Sequence, residues 1–281
     1  MSSASSKTTS SSSSAVARSV PPIDVLVDGG FHRLGRATKL MIAASQGSFR
    51  TLEKVLRQGA RVDIVNEIGF TAMHFAAKAK SDNSAVIKEL HAQGLSVSGK
   101  SHTYFSDILP NDGFTPLHVV ESAGSAAALI ELGADPNKLG VTPIWSGLFY
   151  RKQFTCIETA VMLGKSSVLE AMIDCGAVVS VRHCWLAACE GKASTFKLLL
   201  ERCGHINLAY FEKGRTMAQA AWRKGNENLS SRKGCDEILK MLEAAGAPDQ
   251  MPGNDDGTGP VYGRPYIREA DYGKRDEDSE E

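Results

Sequence analysis

Thr38-Lys-Leu-Met-Ile-Ala-Ala-Ser-Gln-Gly47 and Thr71-Ala-Met-His-Phe-Ala-Ala-Lys-Ala-Lys80 are two copies of one block. Thr115-Pro-Leu-His-Val-Val-Glu-Ser-Ala-Gly124, Thr155-Cys-Ile-Glu-Thr-Ala-Val-Met-Leu-Gly164 and Thr216-Met-Ala-Gln-Ala-Ala-Trp-Arg-Lys-Gly225 repeat it, with a degenerate copy from Arg182 to Gly191. Each copy runs from a Thr through a short apolar stretch to Ala-Ala or a variant, usually with Gly nine residues after the Thr. Such a unit is too small to bury its own apolar face, so its core must come from stacked neighbours.

Within the block, Thr115-Pro116 puts a hydroxyl at a helix N-cap and a proline at the first helical position, where no amide donor is needed. Thr142-Pro143 repeats the device. The small pairs Ala43-Ala44, Ala76-Ala77, Ala187-Ala188 and Ala220-Ala221 allow neighbouring first helices to approach closely. Second helices follow with apolar residues at helical spacing, as in Val86, Ile87 and Leu90, or Val168, Leu169 and Met172, or Ile238, Leu239 and Leu242. Gly59, Gly133, Gly176 and Gly246, each followed by Ala, are expected to end these helices in the left-handed conformation. Turn residues such as Ala134-Asp-Pro-Asn137 then lead away.

Thr38 to Thr71 is 33 residues. Block, second helix, Gly-Ala stop and period together resemble the ankyrin repeat. The resemblance covers residues 31–247 and implies an all-α repeat solenoid of about six ankyrin-type units, each made of helix, helix and projecting hairpin. It also implies that His74 and His118, fourth in their blocks, are structural links from the cap Thr to a neighbouring hairpin, with Trp185 and Gln219 in that place elsewhere. The composition of the Ser-rich segment 1–30 and of the Gly/Pro-rich, then acidic, tail 248–281 predicts disorder at both ends.

Departures from the period mark individuality. Thr71 to Thr115 is 44 residues, which places an insertion at Gly99 to Asn111 around Tyr104 and Phe105. Gly124 to Gly133 is nine residues, which predicts a second helix shortened by nearly a turn in the third unit. Thr155 is taken as the start of the fourth unit because Gly164 and Gly176 then fall in register; Thr142 to Phe154 becomes an extra helical segment or insertion carrying Trp145 and Tyr150. Asn226 to Gly234, polar and turn-rich, reads as a loop between the last two helices.

Charge is balanced, with 32 Lys and Arg against 32 Asp and Glu, which argues against general attraction to nucleic acid or anionic membranes. No apolar run reaches the roughly eighteen residues of a membrane span, and no apolar h-region marks a secretory signal. The six cysteines show neither C-x-x-C pairs nor a disulfide framework, so reduced thiols in the cytoplasm or nucleus are expected. The Ser-rich, acid-poor start keeps an organelle transit peptide as an alternative.

Searches for phosphate loops, nucleophile elbows and helical zinc pairs return nothing, and no cofactor or metal is expected. His183-Cys184 is the one tempting thiol pair, but sequence neighbours diverge around a helix. The resemblance therefore implies a non-catalytic scaffold or adaptor, expected to be a monomer, that binds another protein through its concave, hairpin-bearing face. The alternatives are a regulatory or assembly subunit of an enzyme complex, or cysteine chemistry at Cys184. Candidate contact residues in or near hairpins and insertions are Asn66, Glu67, Tyr104, Phe105, Asp112, Lys138, Trp145, Tyr150, Tyr210 and Phe211.

Overall fold

The computed structural model describes residues 23–28, 35–99, 113–141, 153–203 and 206–247. Twelve helices lie among them, in six consecutive pairs: α1 (Lys39–Ser45) with α2 (Phe49–Arg57), α3 (Ala72–Ala77) with α4 (Ser84–Ala92), and α5 (Pro116–Val119) with α6 (Ala123–Glu131). Then come α7 (Cys156–Leu163) with α8 (Ser166–Asp174), α9 (Val181–Cys189) with α10 (Ala193–Arg202), and α11 (Met217–Glu227) with α12 (Leu229–Ala244). First helices pack on first helices and second helices on second helices, in two parallel rows. The alanine pairs of the block are buried between first helices, and Leu52, Ile87, Leu129, Leu169 and Leu199 fill the space between rows. Each such leucine or isoleucine contributes roughly 2 kcal/mol by leaving water.

Thr38, Thr71, Thr115, Thr155 and Thr216 are the N-caps of α1, α3, α5, α7 and α11, so the block begins where its chemistry requires. The second helices of the first four units and of the last end before Gly59, Gly94, Gly133, Gly176 and Gly246, all at positive φ. In each of these five the next amide closes back five residues, as from Ala60 to the Val55 carbonyl and from Ala247 to that of Leu242.

Connections between units carry the only strands among the described residues. β1 (Leu139–Val141) pairs antiparallel with β2 (Gln153–Thr155), and β3 (Phe211–Glu212) with β4 (Arg215–Thr216). Residues 142–152 lie outside the described residues, so the expected Trp145 and Tyr150 segment is flanked by the β1/β2 stem. The insertion around Tyr104 and Phe105 lies outside them as well, as do residues 1–22 and 248–281. Before the first unit, Ile23 and Leu26 pack on the core, Val27 bridges to Ala37, and Asp24 Oδ1 accepts from the Arg61 amide at 3.0 Å.

Two expectations about helix lengths are overturned. In the third unit the first helix is the short one: α5 has four residues, while α6 has the nine of α2, α4 and α8. Val120 leaves α5 extended, the Glu121 amide donates to Ala77 of the preceding unit, and Gly124 lies inside α6. Nor is there a loop at 226–234, because α12 begins at Leu229 after Asn228, whose side chain caps it. Its mid-helix glycine has a packing reason: a Cβ on Gly234 would sit 2.2 Å from the backbone oxygen of Gly191, itself held at φ +64°.

Gly234→Ala separates the two effects. Helix propensity alone would stabilise by about 1 kcal/mol, whereas the clash with the Gly191 backbone costs about 1–3 kcal/mol. Urea denaturation is expected to show net destabilisation; a more stable variant would refute the close approach.

Candidate functional site

In α3 and α5 the third residue of the first helix does two jobs. In α3, His74 Nδ1 accepts from the Thr71 amide at 3.2 Å, while Nε2 lies 3.0 Å from the Phe114 carbonyl, just before the next cap. These partners assign the proton to Nε2, which donates across the junction. His118 repeats the arrangement, with Nδ1 on Thr115 and Nε2 3.2 Å from the Phe154 carbonyl. This is the linking role that the resemblance implies for both.

In the fifth unit the jobs are divided. Ser180, not Arg182, is the cap, and its amide donates to His183 Nδ1 at 2.9 Å. Two residues on, Trp185 Nε1 donates to the Arg215 carbonyl at 3.1 Å, so Trp185 does stand in for histidine across the junction. In the fourth unit Glu158 caps Thr155 but has no proton to give, and Arg182 supplies the link by pairing with Glu158 and with Glu212. Met41 makes no such link in the first unit; there Asn66 Nδ2 donates to the Arg36 carbonyl at 3.1 Å.

Burial governs the acid–base chemistry of these groups. It drives His74 down to about 4, so the imidazole is neutral in the fold. Cys156 lies 3.3 Å from His118 Nδ1, a pairing the sequence reading missed, yet burial pushes its thiol up to about 12. Cys184 is fully buried and its thiol is also pushed up, first by burial, while His183 is turned to its own cap. Burial thus disfavours the thiolate at Cys184, and His183 is not placed to restore it. Among the described residues no group of three or more His, Cys, Asp or Glu is placed to hold a metal ion.

What the stack offers outward is the edge formed by its connections, because first helices lie in one row and the segments feeding them fall along one side. Val27 ahead of the first unit, and Val65, Leu139 and Val178 on the connections after the first, third and fourth units, are 44%, 44%, 47% and 74% exposed. Charges of both signs flank them: Arg61 with Asp63, Arg36 with Glu67, then Asp135 and Lys138. Lys213 lies over the Trp185 ring at 5.5 Å. Apolar points in a mixed-charge border suit a protein surface better than a phosphate backbone.

The sequence-predicted contact residues separate accordingly. Glu67 is exposed, accepts from the Arg36 amide at 2.8 Å, and is held below the usual carboxylate range chiefly by that bond. Lys138 is exposed on the edge. Asn66 is in the hairpin but only 5% exposed, and its Oδ1 accepts from the Ile68 and Phe70 amides, so it serves the turn. Tyr210 is half-buried against the core, with its hydroxyl donating to Glu212 at 2.8 Å and its pKa raised by burial and that carboxylate. Phe211 lies in β3 opposite Thr216. Tyr104, Phe105, Asp112, Trp145 and Tyr150 lie outside the described residues. Val65, Leu139 and Val178 were not singled out from sequence; an aliphatic residue inside an otherwise polar turn segment was the available signal.

Residues 40–144 match the family described as ankyrin repeats, three copies. The crystal structure of the human ASB11 ankyrin repeat domain is similar, with a TM-score of 0.56 at 21% identity over 78% of this chain and 88% of that one. That of the ankyrin repeat domain of Bcl-3, described as a unique member of the IkappaB protein family, gives a TM-score of 0.49 at 18% identity over 77% of this chain and 90% of that one. No curated protein matches the chain in sequence. The first likeness establishes the fold of the whole stack, beyond the three matched copies.

Burial of His74 makes stability depend on pH with a definite sign. Its imidazole titrates near 6.5 unfolded and about 4 folded, so between those values only the unfolded chain takes up the proton. The contribution is complete above pH 6.5 and is lost as pH falls toward 4, by up to roughly 3 kcal/mol. His74→Gln, which keeps an acceptor and a donor, should flatten this slope in denaturation from pH 7 to pH 4; an unchanged slope would contradict the assignment. Under native alkylation exposed Cys175 should react well before buried Cys156 and Cys184, and equal rates would contradict it.

Proposed function

We propose that the chain, whose stack has the fold of an ankyrin repeat domain, is a non-catalytic scaffold that binds another protein along the connection edge. The observation that carries this reading is the division of side chains in the structure. Buried polar groups such as His74, His118, Asn83 and Gln219 are engaged in holding helix starts and junctions, whereas Val65, Leu139 and Val178 are exposed on the connections after the first, third and fourth units. Exposed apolar side chains on several connections give a partner anchor points, and the mixed charges near them supply selectivity rather than long-range attraction.

A repeat stack is suited to this work because each unit contacts only its neighbours, so edge residues can vary without disturbing the core. The six free cysteines, three of them buried, support a reducing setting such as the cytoplasm or nucleus.

Aspartate at Val65, Leu139 and Val178 together tests the reading. All three are well exposed, so the melting temperature should stay within a few degrees, while capture of a saturable protein partner from source-cell lysate should fall by at least about tenfold. Equal capture by wild type and variant would place the contact elsewhere.

A further inference from the structure

The fifth unit differs from the others in carrying cysteine both where its first helix begins and where its second ends. The third place of the block, held elsewhere by Leu40, Met73, Leu117, Ile157 and Ala218, is taken by Cys184 near the start of α9. Cys203 is the C-cap of α10. The corresponding C-caps are Gln58, Gln93, Leu132, Cys175 and Ala245, so no other unit has cysteine at both places. Three residues join α9 to α10 and the two helices pack on each other, which brings the start of the first beside the end of the second.

The two thiols meet there. Cys184 is fully buried in the core, half-buried Cys203 packs against that core, and the Cys184 thiol donates a hydrogen bond to the Cys203 sulfur. Cys189, five residues along α9, lies instead among the charges of Glu190, Glu212, Lys213 and Lys224. The bond between the thiols gives them different parts. It holds the proton on Cys184, and on Cys203 it opposes the upward push of burial by favouring the charged sulfur. Cys203 is also the sulfur nearer solvent, so it is the one placed to enter an exchange, with Cys184 behind it to resolve.

We infer that Cys184 and Cys203 are a redox-sensitive dithiol, closed to a disulfide by a small disulfide such as oxidised glutathione and reopened by excess thiol. In the first step the Cys203 thiolate attacks one sulfur of the small disulfide, forming a mixed disulfide and expelling one thiolate, which takes up the proton that Cys203 lost. In the second, the Cys184 sulfur gives up its proton and attacks the Cys203 sulfur, expelling the other small thiolate, which takes up that proton. The protein thus loses two electrons and two protons, and the small disulfide becomes two thiols. The new bond joins residues 19 apart in sequence and ties the first helix of the unit to the second, so that the two no longer open separately.

Equilibration of the folded full chain with oxidised glutathione, followed by acid quench, alkylation and non-reducing peptide mapping, tests the assignment. A link between Cys184 and Cys203 is expected, placed by fragmentation because Cys189 shares the Cys184 tryptic peptide, and excess reduced thiol should remove it. Cys189→Ser should keep the link, and Cys203→Ser should abolish it. In urea the linked wild type should unfold with an equilibrium constant about a hundredfold smaller than that of the reduced chain, a gain that Cys203→Ser should lose. Both thiols still free at equilibrium, a Cys203 mixed disulfide that never resolves, a link made through Cys189, or a linked chain no more stable than the reduced one would each overturn the inference.

Discussion

The constraint on which the stack depends is that helix starts be joined to the next unit, and in α3, α5 and α9 one buried donor makes that reach. A short first helix leaves its opening amides unsatisfied, and the side chain at its third position covers one of them. Where that side chain also owns a second polar atom on its far side, as His74 and His118 do, the cap becomes a junction. The stack is thereby keyed unit to unit by a bond that is both local and long-range. Apolar burial supplies most of the free energy, but leucines and alanines alone would tolerate sliding; a buried imidazole with one carbonyl to meet does not.

The same constraint explains the irregular units. A glutamate can cap but cannot donate, so the fourth unit needs Arg182 between Glu158 and Glu212. A first helix begun two residues early, at Ser180, moves its capping histidine off the junction, and Trp185 takes over the outward bond. Around the turns between helices a second set of links runs from unit to unit: Asn83 Nδ2 to the Ala44 carbonyl, Glu121 with Lys78 and Lys165, and Lys224 with Glu190. Lys165 is mostly buried and also donates to the Val120 carbonyl, so its charge is compensated on two sides.

Legibility in the sequence followed the range of the interaction. Caps, alanine pairs and Gly stops are local devices with local residue signatures, and they located all six helix pairs and the start at Thr155. Gly234 misled because a glycine among polar residues signals a turn, whereas its cause is the Gly191 backbone in a different unit. The third unit misled for a related reason: Gly124 has the spacing of a helix stop yet sits within α6, and three residues were lost from the first helix rather than the second. At the candidate edge, Glu67 and Lys138 could be placed from the turn pattern. The burial of Asn66 could not, since it depends on a carbonyl thirty residues earlier.

Native-state hydrogen exchange on His118→Leu addresses the central claim most directly. The substitution keeps apolar volume but removes both the acceptor for Thr115 and the donor to Phe154. If the cap and the junction are one device, protection should fall together in α5 of its own unit and in α7 of the next, while α1 and α11 are unchanged. Loss confined to α5, with α7 protected as in the wild type, would contradict the claim.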